Sequence, residues 1–188
     1  MAEAAVREKM SAADYFAFDA ASELRHEFIA GDVYAMGGGT SEHAVVASNI
    51  ILAAGMRLRG APCRVIGADL RVQAIGDESY FYPDASIVCG GLEYAAGQKD
   101  TVTNPVVVFE VLSPSTADFD RGTKFHHYRQ IASLRAYVLV DPVEQAVELR
   151  TRKADGAGEL RDVEGSLALE CVGIELPLAE LFELAGVR

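Results

Sequence analysis

Apolar and polar residues are spaced along the chain in two ways that together predict a mixed α/β protein. Helical periodicity, with apolar positions three and four residues apart, runs through residues 42–59 and 118–133. Strongly apolar runs of the kind that form buried strands occur at four places. These runs cover residues 64–74, 80–89, 106–112 and 136–141. Their order along the chain indicates a central mixed β-sheet flanked by helices.

The two ends of the chain add smaller elements to this sheet. Ser11 can cap a short helix that runs through residue 19. A β-hairpin of residues 26–30 and 33–36 follows, with Gly31-Asp32 as the predicted turn. Beyond residue 141 we expect a strand over 146–152, two further short strands and a last helix over 178–184. We expect all of residues 1–188 to form one domain.

Composition indicates the class of protein and its location. Half of the 188 residues are hydrophobic and the formal net charge is −11, which predicts a folded protein whose acidic surface repels nucleic acid on average. The N-terminus lacks a basic-then-apolar signal pattern, and no apolar run is long enough to cross a membrane, so a cytoplasmic protein is expected. Cys63, Cys89 and Cys171 match no zinc spacing and are expected to be buried, reduced thiols.

Two acidic residues in apolar surroundings are the first candidates for chemistry. Glu110 ends a strand whose four preceding residues are all apolar, and a buried carboxylate there needs a cation. Asp84 follows Pro83, which interrupts or begins another apolar strand. If these two strands are neighbours, both carboxylates can reach one divalent ion. Their hard oxygen atoms favour Mg²⁺, and the backbone carbonyl of Val111 could supply a third oxygen.

Ordinary structural roles would also explain the same two acids. Glu110 could form a salt bridge with Arg121 or Arg135. Asp84 could be a turn or capping acid at the edge of its strand. Neither alternative requires a metal ion.

The arrangement of Pro83-Asp84 followed by Glu110 resembles the PD-(D/E)XK nuclease superfamily, which has the restriction-endonuclease-like fold. Several longer stretches, and His43, are similar to the Uma-type restriction endonuclease family of bacteria. These stretches cover residues 26–32, 110–116, 120–124 with Tyr128, and 136–142. The likeness extends in order from about residue 12 to residue 183. It implies a central mixed sheet flanked by helices, with the active site at one end of the sheet.

Lys124 is the residue that the resemblance assigns to the role of the motif lysine. In the superfamily this lysine usually stands two positions after the glutamate, where the present chain has Leu112. The Uma-type family instead has a lysine on the following helix, which corresponds to Lys124, and Tyr128 one turn later could pack on its stem. The alternative is an ordinary surface lysine on a basic helix.

Two residues closer to the N-terminus are further candidates. Glu27 matches an acidic position of the family and could complete the surroundings of a metal ion or help to activate water. Alternatively, Glu27 forms an ion pair with Arg25 in the hairpin. His43 could contact phosphate near a helix N-terminus, although a polar residue of the capping turn is the favoured interpretation.

The resemblance and the acidic residues together predict an endonuclease that hydrolyses phosphodiester bonds in DNA with Mg²⁺, for which Mn²⁺ could substitute. Asp84, Glu110 and the Val111 carbonyl would hold the ion, and Lys124 would offset charge that develops on the phosphate. Six arginines are candidates for contacts with the DNA backbone. They are Arg57, Arg59, Arg64, Arg71, Arg121 and Arg129. By analogy, a homodimer is expected.

Two other functions are consistent with the same sequence. One is a member of this fold that has lost turnover and serves as a DNA-binding or protein-interaction module, which Leu112 and the acidic net charge favour. The other is hydrolysis of a different phosphate ester. Metal binding distinguishes the first alternative from a nuclease, and a substrate screen distinguishes the second.

Overall fold

The computed structural model of the protein describes residues 9–76, 78–152 and 158–185. Seven strands of the described ranges precede residue 105: β1 (His26–Ile29), β2 (Asp32–Ala35), β3 (Cys63–Gly67), β4 (Arg71–Ile75), β5 (Ser79–Phe81), β6 (Ala85–Cys89) and β7 (Thr101–Val102). Six follow it: β8 (Val107–Val111), β9 (Ala136–Asp141), β10 (Ala146–Arg152), β11 (Gly158–Asp162), β12 (Ser166–Leu169) and β13 (Ile174–Pro177). The C-terminal part therefore has one strand more than predicted.

Two mixed β-sheets contain most of these strands. The smaller sheet has the order β2-β1-β5-β4-β7, and the larger has the order β11-β10-β9-β8-β6-β3. Each sheet is mixed. The smaller sheet contains one parallel pair, β4 with β7, and the larger sheet contains one, β8 with β9, whereas their other pairs are antiparallel. The strands β12 and β13 form a separate antiparallel pair. The predicted fold class, a mixed sheet flanked by helices, is confirmed.

The chain crosses between the two sheets at two points, near Gly67 and at Pro83, where the sequence already indicated a break in the strand. The run of residues 64–74 divides into β3 of the larger sheet and β4 of the smaller one. The run of residues 80–89 divides into β5 and β6, with Tyr82-Pro83-Asp84 between them. Because Pro83 has no N–H to donate, a strand ladder does not continue through it. This second crossing carries Asp84 from the smaller sheet to the beginning of a strand of the larger one.

Helices begin where the sequence supplies capping side chains. Helix α1 (Ala12–Ala21) begins after Ser11, whose hydroxyl oxygen accepts a hydrogen bond from the Asp14 N–H. Helix α2 (Ser41–Arg57) begins after Thr40, whose hydroxyl oxygen accepts one from the His43 N–H. The capped start at Ser11 confirms the sequence analysis. In the described ranges, no helix combines the length and apolar character needed to cross a membrane.

The helix predicted over residues 118–133 is shorter and less regular than expected. It consists of α3 (Ala117–Phe119), a π-helical turn (Asp120–Lys124) and α4 (Phe125–Tyr128). After Tyr128 the backbone forms tight turns, with the Ile131 N–H donating to the Tyr128 carbonyl. A short helix, α5 (Leu178–Leu181), lies near the C-terminus. We refer to residues 117–128 as the site helix.

The turn of the N-terminal hairpin lies one residue earlier than predicted. Ala30 and Gly31 have φ angles of 48° and 95°, and Asp32 already pairs with Ile29 in the sheet. Positive φ at both central residues is the geometry that matches the twist of a two-residue hairpin. Gly31 suits this position because a Cβ atom there would lie only 2.7 Å from the Cβ of Lys9.

Two apolar cores cover the two faces of the larger sheet. On one face it packs against α2, α5 and the β12-β13 pair, through residues that include Ile50 and Leu181. On the other face it packs against the site helix and the smaller sheet. Val108 and Leu112 belong to this second core, and alternation along β8 places Glu110 between them on the same face. The Glu110 carboxyl group therefore enters an apolar layer between the two sheets.

The expectation of three buried, reduced thiols is wrong. Cys63 and Cys89 are directly opposite each other where β3 pairs antiparallel with β6, and they form a disulfide. The sequence could not reveal this because it does not specify which strands pair. Cys171 is free, and it is exposed rather than buried.

Thiol counting tests this disulfide. In unfolded but unreduced protein, a thiol reagent is expected to detect one thiol, from Cys171, and after reduction it should detect three. Reduction is also expected to lower the free energy of unfolding by about 3 kcal/mol, because the bond closes a loop with a sequence separation of 26 residues. Cys171→Ser is the control, with no free thiol before reduction and unchanged stability. Detection of three thiols before reduction would contradict the assignment.

Candidate active site

The four residues selected from the sequence come from both sheets and from the site helix. Glu27 lies in β1 of the smaller sheet, and Glu110 lies in β8 of the larger one. Asp84 immediately precedes β6, and Lys124 ends the π-helical turn. Glu27, Glu110 and Lys124 are buried, with only 6%, 3% and 6% of their surface exposed. The site is therefore assembled between the two sheets.

The ammonium group of Lys124 lies at the centre of three carboxylates. Its Nζ atom is 2.8 Å from Glu27 Oε1, 3.3 Å from Glu110 Oε2 and 3.4 Å from Asp120 Oδ1. Asp120 is also buried and stands four residues before Lys124, so one turn of the helix presents both side chains to the cluster. When all four groups are ionised, the carboxylates outnumber the cation. We call these four residues the lysine cluster.

The chain crossing at Pro83 also holds part of this cluster in place. The backbone N–H of Tyr82 donates to Glu27 Oε1 over 3.4 Å. The Tyr82 hydroxyl donates to Asp19 Oδ2 over 2.7 Å, and Asp19 Oδ1 accepts from the His26 N–H. These hydrogen bonds connect the segment Tyr82-Pro83-Asp84 to β1 and α1. They therefore hold Glu27 and the backbone that leads to Asp84 in position.

Burial and charge shift the protonation of the lysine cluster in opposite directions. Burial raises the pKa of Glu110 well above its ordinary value, against the opposing effect of the Lys124 charge. The pKa of Glu27 is raised for the same reason. Burial alone would lower the pKa of Lys124, but the charges of Glu110, Glu27 and Asp120 outweigh it and hold that pKa well above the ordinary range. The lysine is thus firmly cationic, whereas the glutamates bear an electrostatic penalty when ionised.

Asp84 is positioned beside Glu110 by the pairing of β6 with β8. Ala85 is opposite Phe109 in this antiparallel pair, so the same register continued by one residue sets Asp84 opposite Glu110. Asp84 Oδ2 accepts a hydrogen bond of 2.7 Å from the backbone N–H of Val111. Asp84 therefore lies on a strand next to that of Glu110, the condition on which the sequence argument depended.

His43 forms the outer side of the site. Its Nε2 atom is 3.4 Å from Asp84 Oδ1, and the two side chains keep 20% and 15% of their surface exposed. The hydrogen bond with Asp84 raises the pKa of His43, burial opposes this, and the Asp84 charge and the Val111 backbone add to the increase. Unlike the lysine cluster, this pair is in contact with solvent.

The two oxygen atoms of the Glu110 carboxylate have different surroundings. Glu110 Oε2 faces Lys124, whereas Glu110 Oε1 is buried and takes part in no hydrogen bond of ordinary geometry with the described residues. A buried carboxylate oxygen without a hydrogen bond is energetically unfavourable unless a cation or a water molecule binds to it. Among the described residues, no three His, Cys, Asp or Glu side chains form a metal-binding group by themselves. A cation here would therefore need backbone and water ligands as well, as Mg²⁺ commonly does.

These contacts differ from the structural alternatives raised by the sequence. Glu110 contacts Lys124, whereas Arg121 pairs with Glu148 at 2.7 Å. Glu27 also contacts Lys124, and Arg25 pairs with Asp69. Lys124 is not a surface lysine.

Two residues of the site were missed or undervalued by sequence reasoning. Asp120 was not selected, although its spacing of four residues from Lys124 on a helix is a signal that could have identified it. For His43 the capping-turn interpretation was favoured. Its backbone N–H does bond to Thr40, but its ring reaches Asp84. Only the packing of the start of α2 against the start of β6 brings them together.

Several arginines proposed to contact DNA are already paired. Arg57 forms two hydrogen bonds with Glu180, and Arg121 pairs with Glu148. Arg71 is buried and contacts Asp19 and Asp100. By contrast, Arg129 is exposed.

Comparisons with known proteins agree with this fold. The sequence model of the Uma2 family, described as "Putative restriction endonuclease", matches residues 12–179. The chain is 32% identical over 171 residues to "Uncharacterized protein slr1290" of Synechocystis sp. (strain ATCC 27184 / PCC 6803 / Kazusa), covering 91% of this chain and 89% of that protein. It is 29% identical over 159 residues to "Uncharacterized protein sll1609" of the same organism, covering 85% and 90%.

A solved structure is similar over almost the whole chain. It is described as a "putative nuclease belonging to DUF820" from Anabaena variabilis ATCC 29413, and it superposes with a TM-score of 0.75. The match covers 94% of this chain and 99% of that one, at 18% sequence identity, and so it shows a shared fold. Fold and family model together define a class of protein described as "Putative restriction endonuclease". The chain belongs to the Uma2 family.

Proposed function

We propose that the protein is a Mg²⁺-dependent endonuclease that hydrolyses phosphodiester bonds in DNA. One observation carries the proposal: a buried glutamate has one oxygen beside a lysine and the other without a hydrogen bond of ordinary geometry, next to the strand of a second carboxylate. Buried, shifted titratable groups of this kind concentrate at catalytic sites. A purely structural ion pair would leave neither an excess of buried negative charge nor an unpaired oxygen.

The residues of the site have distinct roles in this proposal. Asp84, the free oxygen of Glu110 and the Val111 carbonyl would hold Mg²⁺, with Mn²⁺ as a substitute. Bound there, the ion would polarise the scissile phosphate and lower the pKa of a water molecule. Lys124 would offset negative charge that develops on the phosphate, because its ammonium group stays protonated. Glu27 holds Lys124 in place at 2.8 Å, and together with Tyr82 it fixes the crossing segment.

The departure at Leu112 does not remove the lysine function. Leu112 is buried in the core between the sheets, so a lysine at that position would have to displace core packing. Lys124 reaches Glu110 Oε2 from the site helix instead. An amino group thus lies beside the same carboxylate by a different route. Dimerisation remains a prediction by analogy.

Cleavage of plasmid DNA tests the proposal. The purified protein is expected to nick or linearise supercoiled plasmid with Mg²⁺ or Mn²⁺, and not with EDTA. Asp84→Asn is expected to reduce the rate at least about 100-fold, because it removes a charged ligand of the ion. Mg²⁺ should also raise the melting temperature of the unaltered protein more than that of Asp84→Asn, because a ligand that binds only the folded state stabilises it.

Glu144→Gln is a matched control, because Glu144 is exposed and distant in sequence from the site. It is expected to keep both cleavage and the Mg²⁺ effect. If the protein binds DNA but cleaves it with neither Mg²⁺ nor Mn²⁺, the nuclease proposal is wrong and a non-catalytic binding module is the better interpretation. If Asp84→Asn cleaves plasmid as fast as the unaltered protein does, this site is not the catalytic site.

A further inference from the structure

A cavity of about 670 Å³ lies on the side of the site helix that faces β10 and β11. Four arginines line it: Arg129, Arg135, Arg150 and Arg152. Phe125 and Tyr137 contribute aromatic surface, and Glu159 is the acidic residue of the lining. We call this cavity the arginine groove. It gathers four of the 17 basic residues of a chain whose net charge is −11.

The sheet forms the floor of the groove and brings the arginines together. Arg150 in β10 lies opposite Tyr137 in β9 and Leu160 in β11, so these three side chains form one row across three strands. Arg152 lies on the same face, two residues further along β10. Arg135 directly precedes β9, and Arg129 directly follows α4. Regular pairing of the strands therefore sets the spacing of the charges.

Backbone oxygen atoms hold three of these four guanidinium groups. Arg150 donates to the Arg121 carbonyl at 2.7 Å, and Arg152 donates to the Ile131 carbonyl at 3.0 Å. Arg135 donates to the Ala132 carbonyl at 2.9 Å. Among the described residues, the ion pair recorded for these four arginines is the 3.8 Å contact of Arg150 with Glu148.

The groove therefore has fixed positive charge and unused donors. The Nε atom of Arg150 is buried and has no hydrogen-bond acceptor among the described residues. The Arg150 guanidinium lies over the Phe125 ring, 4.4 Å from its centroid, which orients its planar edge. Planar guanidinium groups fixed in this way match the geometry of phosphate oxygens.

We propose that the arginine groove binds the phosphates of a nucleic acid strand. This proposal rests on the proposed function, which supplies the kind of ligand. The groove supplies the position at which that ligand binds. The volume suits one or two nucleotides rather than a protein partner. The groove adjoins the active site, because Phe125 follows Lys124 in the chain and the Tyr137 hydroxyl donates to the Asp120 backbone carbonyl at 2.9 Å. A strand held in this groove is anchored next to the lysine cluster.

Binding of a fluorescein-labelled single-stranded oligonucleotide, measured by anisotropy in EDTA, tests the groove without cleavage. Arg129→Gln/Arg135→Gln, which alters two exposed arginines, is expected to weaken binding about tenfold or more. The slope of log K against log salt should become shallower by about 1.4, because about 0.7 is expected per lost phosphate contact. Arg150→Lys keeps the charge but removes the planar fork, and it should also weaken binding.

Lys9→Gln/Lys99→Gln is the matched control, because it removes two exposed positive charges elsewhere in the chain. It should leave most of the binding intact, because neither lysine lines the groove. Equal loss in the control and groove variants would overturn the proposal. Binding of inorganic phosphate or ATP to the groove without binding of the oligonucleotide would also overturn it. Groove-dependent binding without Mg²⁺-dependent cleavage would refute the nuclease and leave the groove assignment standing.

Discussion

Replacing Lys124 with methionine is expected to lower the free energy of unfolding by about 3–5 kcal/mol at neutral pH. The substitution keeps the length and apolar stem of the side chain but removes the cation. Glu27, Glu110 and Asp120 would then be three buried carboxylates without the ammonium group that contacts all of them. Chemical denaturation of the purified variant and the unaltered protein measures the difference.

The loss of stability should depend on pH in a specific direction. Burial raises the pKa of Glu110 and Glu27 above the ordinary value of 4.5, so the folded state binds these protons more tightly than the unfolded chain does. Ionisation of the glutamates therefore lowers stability as the pH rises through their folded-state pKa values. Without Lys124 this loss of stability is larger, because the lysine charge lowers the pKa values of both glutamates. The gap between Lys124→Met and the unaltered protein is expected to be smallest near pH 4.5 and to widen towards pH 7.

Lys99→Met is the control for loss of a positive charge, because Lys99 is exposed. It is expected to change stability by less than about 0.5 kcal/mol. Combining Lys124→Met with Glu110→Gln should recover part of the loss, since the double variant has one buried carboxylate fewer. An equal loss of stability at pH 5 and pH 7, or no recovery in the double variant, would show that lost packing rather than charge explains the effect.

The sequence predicted the sheet and its flanking helices because local patterns determine them. The apolar run before Glu110 and the caps at Ser11 and Thr40 require only neighbouring residues to be understood. The division of two apolar runs between different sheets was not predicted. Apolar content is the same whichever sheet buries a segment, and Pro83 indicates a break but not where the chain goes next. The Cys63–Cys89 bond was missed for the same reason.

The site shows the same difference between local and long-range information. Asp84 and Glu110 were selected as acids in apolar strands, and Lys124 and Glu27 were selected because they match a family pattern. Glu27, Glu110 and Lys124 are in direct contact. His43 reaches Asp84 only through the packing of α2 on the larger sheet. The arginine groove depends on the register of β9, β10 and β11. Of its four arginines, only Arg129 was among the residues proposed from the sequence to contact DNA.

Glu110→Gln is expected to change stability and activity in opposite directions. In EDTA, at a pH above its raised pKa, Glu110 is a buried charge with one unpaired oxygen. Glutamine keeps the shape, and Lys124 retains contacts with Glu27 and Asp120. Because the raised pKa of Glu110 reflects an energetic penalty for its buried charge, we expect the free energy of unfolding to increase at pH 8. The increase should shrink towards pH 5, where Glu110 takes up a proton itself.

The same substitution should abolish cleavage, because it removes a charged ligand of the proposed Mg²⁺ ion and leaves the amino group of Lys124 in place. A loss of at least about 100-fold in the rate of plasmid nicking is expected, together with loss of the stabilisation by Mg²⁺. Glu144→Gln should show none of these effects. If Glu110→Gln lowers the stability of the protein but leaves cleavage unchanged, Glu110 has a structural role only. The expected combination, a more stable protein that no longer cleaves, is the result for a residue whose buried charge is retained for chemistry at the expense of stability.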